Sequence, residues 1–531
     1  MSHPPLQQPS LQPFHIAIIG AGIAGLTLAI GLHRQNTNIS FTIYERAPTL
    51  SASAGAGIGL SPNAEQAMQL LAPEVHEAYE RVANPNGEDW FQWVDGTTDE
   101  LLFKLFVGKG CFRGCKRADF LDELMKCLPE DKVKFGKCLR TVREAVDDEM
   151  GEAEGEGGVV LEFEDGSCAA ADAVIGCDGI HSPLRSHLFA SEDHHDNDNG
   201  DREVRSAYAA TYSHKAAFRA LIPMDEALAK LGPQKCSTRY MYNGPGAHII
   251  TYPVSQNTAL NTLVVVTDPE DWDKMMDSVS SSSSRDSSSD LTPPYSLPLH
   301  DSIPRTQQTK QPGHTRRHKH TRPATRTECL AALASFHPSV RAIAELLPPQ
   351  LEKWAIFDMH EHLAPRYHSS HPLIVLAGDA AHAAGPHLGA AAGFGIEDAC
   401  LLASLLKRAE ELRTSSGGGS GNGDLPPSPP YDDDIKGHKM DVDGKAGQRL
   451  SKTACLQALF EVYTRERMER TQWLVQHTRE IVDLFEWKDE EVARDPTKFG
   501  QEVTWRFHKV WYFDIEEMLA RASRNFGEKV R

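Results

Sequence analysis

Three clusters of glycines and acids in this chain have the types and spacing to hold a large anionic ligand. The first is Gly20-x-Gly22-x-x-Gly25, with Glu45 twenty residues after the last glycine. Glycines so spaced allow a tight turn and close backbone approach to a pyrophosphate, and a carboxylate at that distance accepts hydrogen bonds from an adenosine ribose. The second is Asp379, followed by Gly389, Gly393 and Gly395 set among alanines. A helix entered through such small residues presents bare backbone N–H groups and a positive dipole end to an anionic or electron-rich group. The third is the pair Asp178-Gly179. Taken alone, the Asp379 cluster reads equally well as a strand, turn and helix that merely pack tightly. The first cluster predicts a dinucleotide site.

Each cluster needs a strand end to position it. Phe14–Ile19 is apolar and runs into the first glycine, a helical segment (LTLAIGLHRQ) follows, and Ser40–Tyr44 reads as a second strand ending at Glu45. Leu373–Ala377 and Ala173–Cys177 are short apolar runs closing just before Asp379 and Asp178, where open α/β sheets put their ligand crevices. Arg117 opens a helix with Phe120, Leu121, Leu124, Met125 and Leu128 at core spacing. An arginine there opposes the helix dipole, which points it toward an external anion rather than toward helix stability. A surface arginine is the plainer reading.

From Arg205 to Asp268 the pattern changes to alternating, β-rich segments, a separate sheet suited to cover a ligand. Arg219 stands inside one apolar strand, an expensive place for an unpaired guanidinium. It is suited to pair bidentately with a substrate carboxylate or phenolate. Tyr252 ends the run HIITY, where a phenol can orient or deprotonate a substrate hydroxyl. An internal Arg–carboxylate pair and a core tyrosine are the alternative, and Tyr240 and Tyr242 compete for the tyrosine role. His382 and His387 flank the Asp379 loop, with a proton relay through His387 set against simple loop packing.

Together with CFRGCKRADFLDEL (Cys111–Leu124), GPGAHIITYPV (Gly244–Val254) and RERMERTQWLVQHTRE (Arg465–Glu480), these motifs resemble the single-component FAD-dependent aromatic hydroxylases, the group A flavoprotein monooxygenases. Within them the chain looks most like the fungal salicylate hydroxylase-like enzymes. The resemblance implies an α/β fold: a Rossmann-like (GR2-type) FAD-binding domain with an inserted β-rich lid and a helical C-terminal segment. It implies FAD held by Gly20, Gly22, Gly25, Glu45, Arg46, Gly57, Ile58, Arg117, Asp178, Gly179, Asp379, Gly389, Ala392 and Gly393. Ala56 also falls in the Gly-rich loop Ser51–Ala64 that passes the flavin. NADH or NADPH is implied as a transient electron donor, since no second Gly-x-Gly-x-x-Gly accompanies the first. The implied reaction inserts one oxygen atom of O2 into a phenolic or aromatic carboxylate substrate through a C4a-hydroperoxyflavin, decarboxylating hydroxylation to a catechol being favoured. Related dearomatising hydroxylases use an Arg/Tyr pair in this sheet, which makes Arg219 and Tyr252 the implied catalytic pair. The rivals are hydroxylation, epoxidation or dearomatisation of a larger fungal secondary metabolite and, more distantly, an inactive flavin-binding interaction protein.

The composition narrows the class further. The 531 residues carry a net charge of −19, with a pI of about 5.7, which argues against nucleic acid as a partner. The first thirteen residues lack the regions of a signal peptide, and no apolar run reaches the roughly 18 residues of a membrane span. Ten scattered cysteines with no CxxC pair indicate neither a zinc site nor a disulfide framework, and no metal is expected. A cytoplasmic monomer or homodimer is the resulting expectation. The expected organisation is a flavin domain over 14–204, the lid over 205–276, a disordered insertion over 277–326, a return to the flavin domain over 327–413, a second insertion over 414–448 and the helical segment over 449–531. The first insertion is Ser-rich and then basic, a pattern also read as a nuclear or polyanion signal. The acidic stretches Asp147–Gly158 and Asp193–Asp201 read as solvated loops, with metal ligation by His194 and His195 as a minor alternative.

Overall fold

The computed structural model describes residues 12–35, 38–50, 57–108, 110–145, 158–190, 208–272, 320–415 and 451–531. Ala56, His194, His195 and most of both expected insertions lie outside these residues.

A six-stranded sheet carries all three clusters. Its strand order is His368–Ser370, Leu373–Leu376, Ala173–Gly176, His15–Ile19, Ser40–Tyr44 and Val133–Lys134, parallel except at the first pair. The central strands are buried on both faces, which explains why they read as continuous apolar runs rather than alternating ones. Their register aligns Ile19 with Tyr44, Ile19 with Gly176, and Gly176 with Leu376. Gly20, Glu45, Asp178 and Asp379 therefore emerge along one carboxyl edge of the sheet.

An eight-stranded sheet stands over that edge, in the order Thr321–Thr325, Gln350–Asp358, Thr211–Pro223, Ala259–Thr267, Ala247–Val254, Tyr240–Gly244, Trp90–Asp95 and Glu100–Phe106. Its far face packs on helices Arg326–Ala332 and Pro338–Glu345 through Phe218, Tyr242, Ile249 and Val264. Three expectations need correcting. Trp90–Phe106 belongs to this sheet although it lies within 14–204, because Tyr240–Gly244 pairs with it in parallel. Thr321–Thr325 is a paired strand although it falls within the expected insertion. Its edge position tolerates Pro323, and its Arg322 forms an ion pair with Glu328. Gln350–Asp358 and the two covering helices also serve this sheet, so the stretch 327–413 returns to the six-stranded sheet only at His368.

The C-terminal helices Lys452–Phe485, Pro496–Trp511 and Ile515–Lys529 pack against the long helix Ala391–Ser415 and the cleft wall. Among the described residues no helix is long and apolar enough to cross a membrane.

Candidate active site

A cleft of about 1310 Å³ lies between the carboxyl edge of the six-stranded sheet and the near face of the eight-stranded one. At its floor Gly20 has φ +102°, and a Cβ there would run into the Cys177 carbonyl, so only glycine fits the turn. Gly22 caps the helix Ile23–Arg34 without a side-chain hydrogen bond, and no acid sits in the first turn. The leading N–H groups of that helix are left for an external anion. Glu45 shapes the same loop, accepting from the Ala21 N–H at 2.8 Å and the Ala47 N–H at 2.9 Å. Each oxygen keeps a lone pair for a further donor.

Arg117 lies beyond Gly22, where an added Cβ would be 4.0 Å from its Nη2. Burial lowers its pKa, and the carboxylates of Asp379 and Glu45 act in the opposite direction. The Asp379 carboxyl is surrounded by protein yet open to the cleft; burial pushes it up, and His382 and Arg117 pull it down. Asp178 is pushed up to about 6 by burial, and its Oδ1 has no hydrogen-bond partner. Arg46, exposed at the rim, tempers that shift. Gly57, Ile58, Gly179, Gly389 and Ala392 also line the cleft, and Gly389 sits in the left-handed region at φ +61°. Gly25 and Gly393 do not. Gly25 packs the helix onto Gly20, and Gly393 lets Ala64 approach, with an added Cβ at 3.0 Å from the Ala64 Cβ.

The loop after Asp379 is fixed from behind by a buried ionic network. Asp398 accepts from the Gly378 N–H at 2.8 Å, His382 Nε2 at 2.6 Å and Arg467 Nε at 2.6 Å. Glu397 accepts from Arg470 at 2.8 and 2.9 Å, Arg467 Nη1 at 2.7 Å and Asn63 Nδ2 at 2.6 Å. His382 is thereby structural. His387 does line the cleft, stacked edge-on against His248, with its pKa held well below the ordinary value by burial and by the neighbouring His248, Lys215 and Arg479.

The near face of the eight-stranded sheet follows the strand period of two. Ala217 and Arg219, Arg239 and Met241, Ile250 and Tyr252, and Asn261 and Leu263 all face the cleft. Tyr240 and Tyr242 point to the covering helices, which leaves Tyr252 as the cleft tyrosine of the three. Asn261 Oδ1 accepts from the Gly57 N–H at 3.1 Å, tying the sheet to the Gly-rich loop. Arg219 stacks 3.5 Å over the Trp354 ring and forms no ion pair among the described residues. Burial brings it down to about 10, so it remains a cation at neutral pH. Burial pushes the Tyr252 phenol well above its ordinary value, against the pull of Arg239 and Arg219. The sequence reading missed Arg239, 3% exposed, which packs 3.8 Å over Phe112 and 4.7 Å from the Tyr252 ring. Alternation along Arg239-Tyr240-Met241-Tyr242 carries the signal, but the two tyrosines drew attention to the wrong face.

An uncapped helix N-terminus, the half-buried Arg117 above it, Glu45 at a strand end and an orphaned Asp178 oxygen suit the phosphates, ribose and hydroxyls of FAD. The fold and cleft thus define a dinucleotide-dependent oxidoreductase. Residues 18–57 match the NAD(P)-binding Rossmann-like domain, and residues 250–417 the FAD-binding domain. The chain is 38% identical to the FAD-dependent monooxygenase orf3 of Aspergillus niger, covering 98% of each chain. It is 32% identical to the salicylate hydroxylase asL1 of Sarocladium schorii, covering 98% of this chain and 93% of that one. A solved salicylate hydroxylase–substrate complex superposes with TM-score 0.65 at 25% identity, over 96% of this chain and 98% of that one. The chain belongs to the FAD-dependent monooxygenases.

Proposed function

We propose that the protein uses NADH or NADPH and O2 to place one oxygen atom on a phenolic or aromatic carboxylate substrate held under the eight-stranded sheet. The observation that carries this is the presence of Arg219 and Tyr252 on one cleft-facing surface, opposite Asp379 and Gly389. When bound, FAD supplies the electron transfer from the nicotinamide to O2. The chain's own residues do the rest. Backbone N–H groups at Gly22 and the Arg117 guanidinium take the phosphate charge, and Glu45 takes the ribose. Asp178, Gly179 and Asp379 meet the polar chain leading to the ring, and the helix entered at Gly389 favours negative charge on the reduced ring. Arg219 receives the substrate carboxylate or phenolate, and the neutral Tyr252 phenol donates a hydrogen bond to it. That hydrogen bond favours the phenolate, the more nucleophilic ring. The sheet above excludes water.

A salicylate-type reaction is favoured by the relative and the solved structure that bear that name. Salicylate, O2, NAD(P)H and two protons would give catechol, CO2, NAD(P)+ and water. A second reading is a larger phenolic metabolite that is hydroxylated, epoxidised or dearomatised without loss of CO2; the higher identity to the FAD-dependent monooxygenase orf3, 38% against 32% for the salicylate hydroxylase asL1, supports keeping it. Quantifying catechol against NAD(P)H consumed with salicylate separates the two.

A further inference from the structure

We propose that Arg239 forms a second anion subsite of the cleft, receiving a ring-bound carboxylate or phenolate of the substrate while Arg219 and Tyr252 hold the first. The proposal rests on the monooxygenase reading above. Arg239 precedes the strand Tyr240–Gly244 and turns into the cleft among Phe91, Phe112 and Tyr252. Among the described residues it forms no ion pair, and its Nε is buried without a hydrogen-bond partner. Its electrostatic neighbours are Tyr252 and Tyr79 rather than carboxylates.

Three other buried arginines, Arg185, Arg467 and Arg470, are satisfied, whereas Arg413, whose Nε is also without a hydrogen-bond partner, lies outside the cleft. Arg467 and Arg470 meet Glu397, and Arg185 donates to the carbonyls of Tyr208, Ala380, Ala381 and His362. Aromatic faces attract a guanidinium but accept no strong hydrogen bond, so the walls around Arg239 hold it in place and leave its donors unused. Gly59 keeps one side of it clear, since a Cβ there would sit 2.5 Å from Nη2. A buried cation in this state is strongly selective. An acidic ring group satisfies it, whereas a neutral ring leaves it unpaired in a low-dielectric pocket. Arg219, Arg239 and Tyr252 line the same cleft, so the substrate this arrangement calls for is an aromatic ring with two acidic substituents, one for each cation.

The test uses FAD-loaded protein, with binding read from the flavin absorbance and from melting. The probes are 2-hydroxybenzoate, 2,4-dihydroxybenzoate, phenol and the uncharged 2-hydroxybenzamide. The wild type is expected to prefer the acids over the amide and over phenol. Arg239→Met is expected to weaken the acids by about 100-fold, the range of a hydrogen-bonded charge, and to leave the amide nearly unchanged. Arg239→Lys should keep part of the preference. FAD affinity should be unaltered, and ligand-free Arg239→Met should melt no lower than the wild type, because an unpaired buried charge is removed. The proposal is overturned if the wild type does not prefer the acids, if Arg239→Met weakens acid and amide alike, or if it loses FAD instead. Turnover is a separate readout. An Arg239-dependent acid preference without NAD(P)H oxidation would sink the monooxygenase reading alone, and intact turnover with an unchanged preference in Arg239→Met would sink the subsite alone.

Discussion

Arg467 Nε donates to Asp398 Oδ1 at 2.6 Å with both side chains fully buried, joining the C-terminal helix Lys452–Phe485 to the loop that presents Asp379. The same carboxylate holds the Gly378 N–H, so the C-terminal segment is part of the cleft and not an appendage.

Arg467→Met therefore leaves Glu397 and Asp398 with one cation fewer in a dry interior. Removing one partner of a buried ion pair costs about 3–5 kcal/mol. The expected outcome is a clearly lower melting temperature and loss of bound flavin, measured by thermal unfolding and by the absorbance of the purified protein.

Asp398 also sets an acid limit. Burial pushes its carboxyl up, but the charges of His382 and Arg467 and the hydrogen bonds it accepts outweigh this and leave it well below the ordinary value of 3.8. A folded pKa below the unfolded one contributes stability that is present above about pH 4 and lost as the pH falls through the lower, folded value. Melting temperature should fall on the acid side of pH 4. Asp398→Asn should melt lower at neutral pH and show a flatter decline there.

Asp178 behaves oppositely. Its folded value, about 6, lies above the unfolded one, so its contribution to flavin-free stability is present at low pH and fades as the pH rises toward 6. Asp178→Asn should raise the melting temperature of the flavin-free protein at pH 7 by a few degrees while weakening FAD binding. An unchanged melting temperature together with unchanged FAD affinity would contradict the account of this carboxyl.

Tyr252 is held protonated by burial across the working pH range. Tyr252→Phe should lower kcat/KM for a phenolic substrate by about tenfold to a hundredfold, the range of a hydrogen bond to a charged group, with flavin content intact. The pH profile between about 6 and 9 should keep its shape, because a phenol titrating near 10 or above has no step there. A step in the wild type that the variant lacks would make Tyr252 a base instead.

The half of the cleft proposed for the cofactor was legible as a cluster because its residues each close a short apolar run, and parallel strands bring such ends together. Glu45, Asp178 and Asp379 needed only that rule. The substrate half was legible in part. Arg219 stands out against its apolar strand, but Arg239 follows Lys235, Cys236, Ser237 and Thr238 and reads like an ordinary surface cation. The long-range pairing of Trp90–Phe106 with Tyr240–Gly244 is not encoded locally at all. Strand Thr321–Thr325 was hidden by the basic residues before it and by Pro323, which an edge strand accommodates. Arg467 and Arg470 lie one helical turn apart on a helix whose charges resemble a solvated face until Glu397 and Asp398 are placed beside them.

The most direct test of the central claim is NADH and NADPH consumption by FAD-loaded protein in the presence of salicylate, with catechol quantified alongside. The account predicts substrate-stimulated consumption of one nucleotide, matched by hydroxylated product, and the favoured reaction predicts catechol in equal amount. Stimulated consumption with a different hydroxylated product would move the assignment to a larger or non-decarboxylated phenol. Absence of stimulation by salicylate and by any other aromatic acid or phenol would contradict the substrate assignment made for Arg219 and Tyr252.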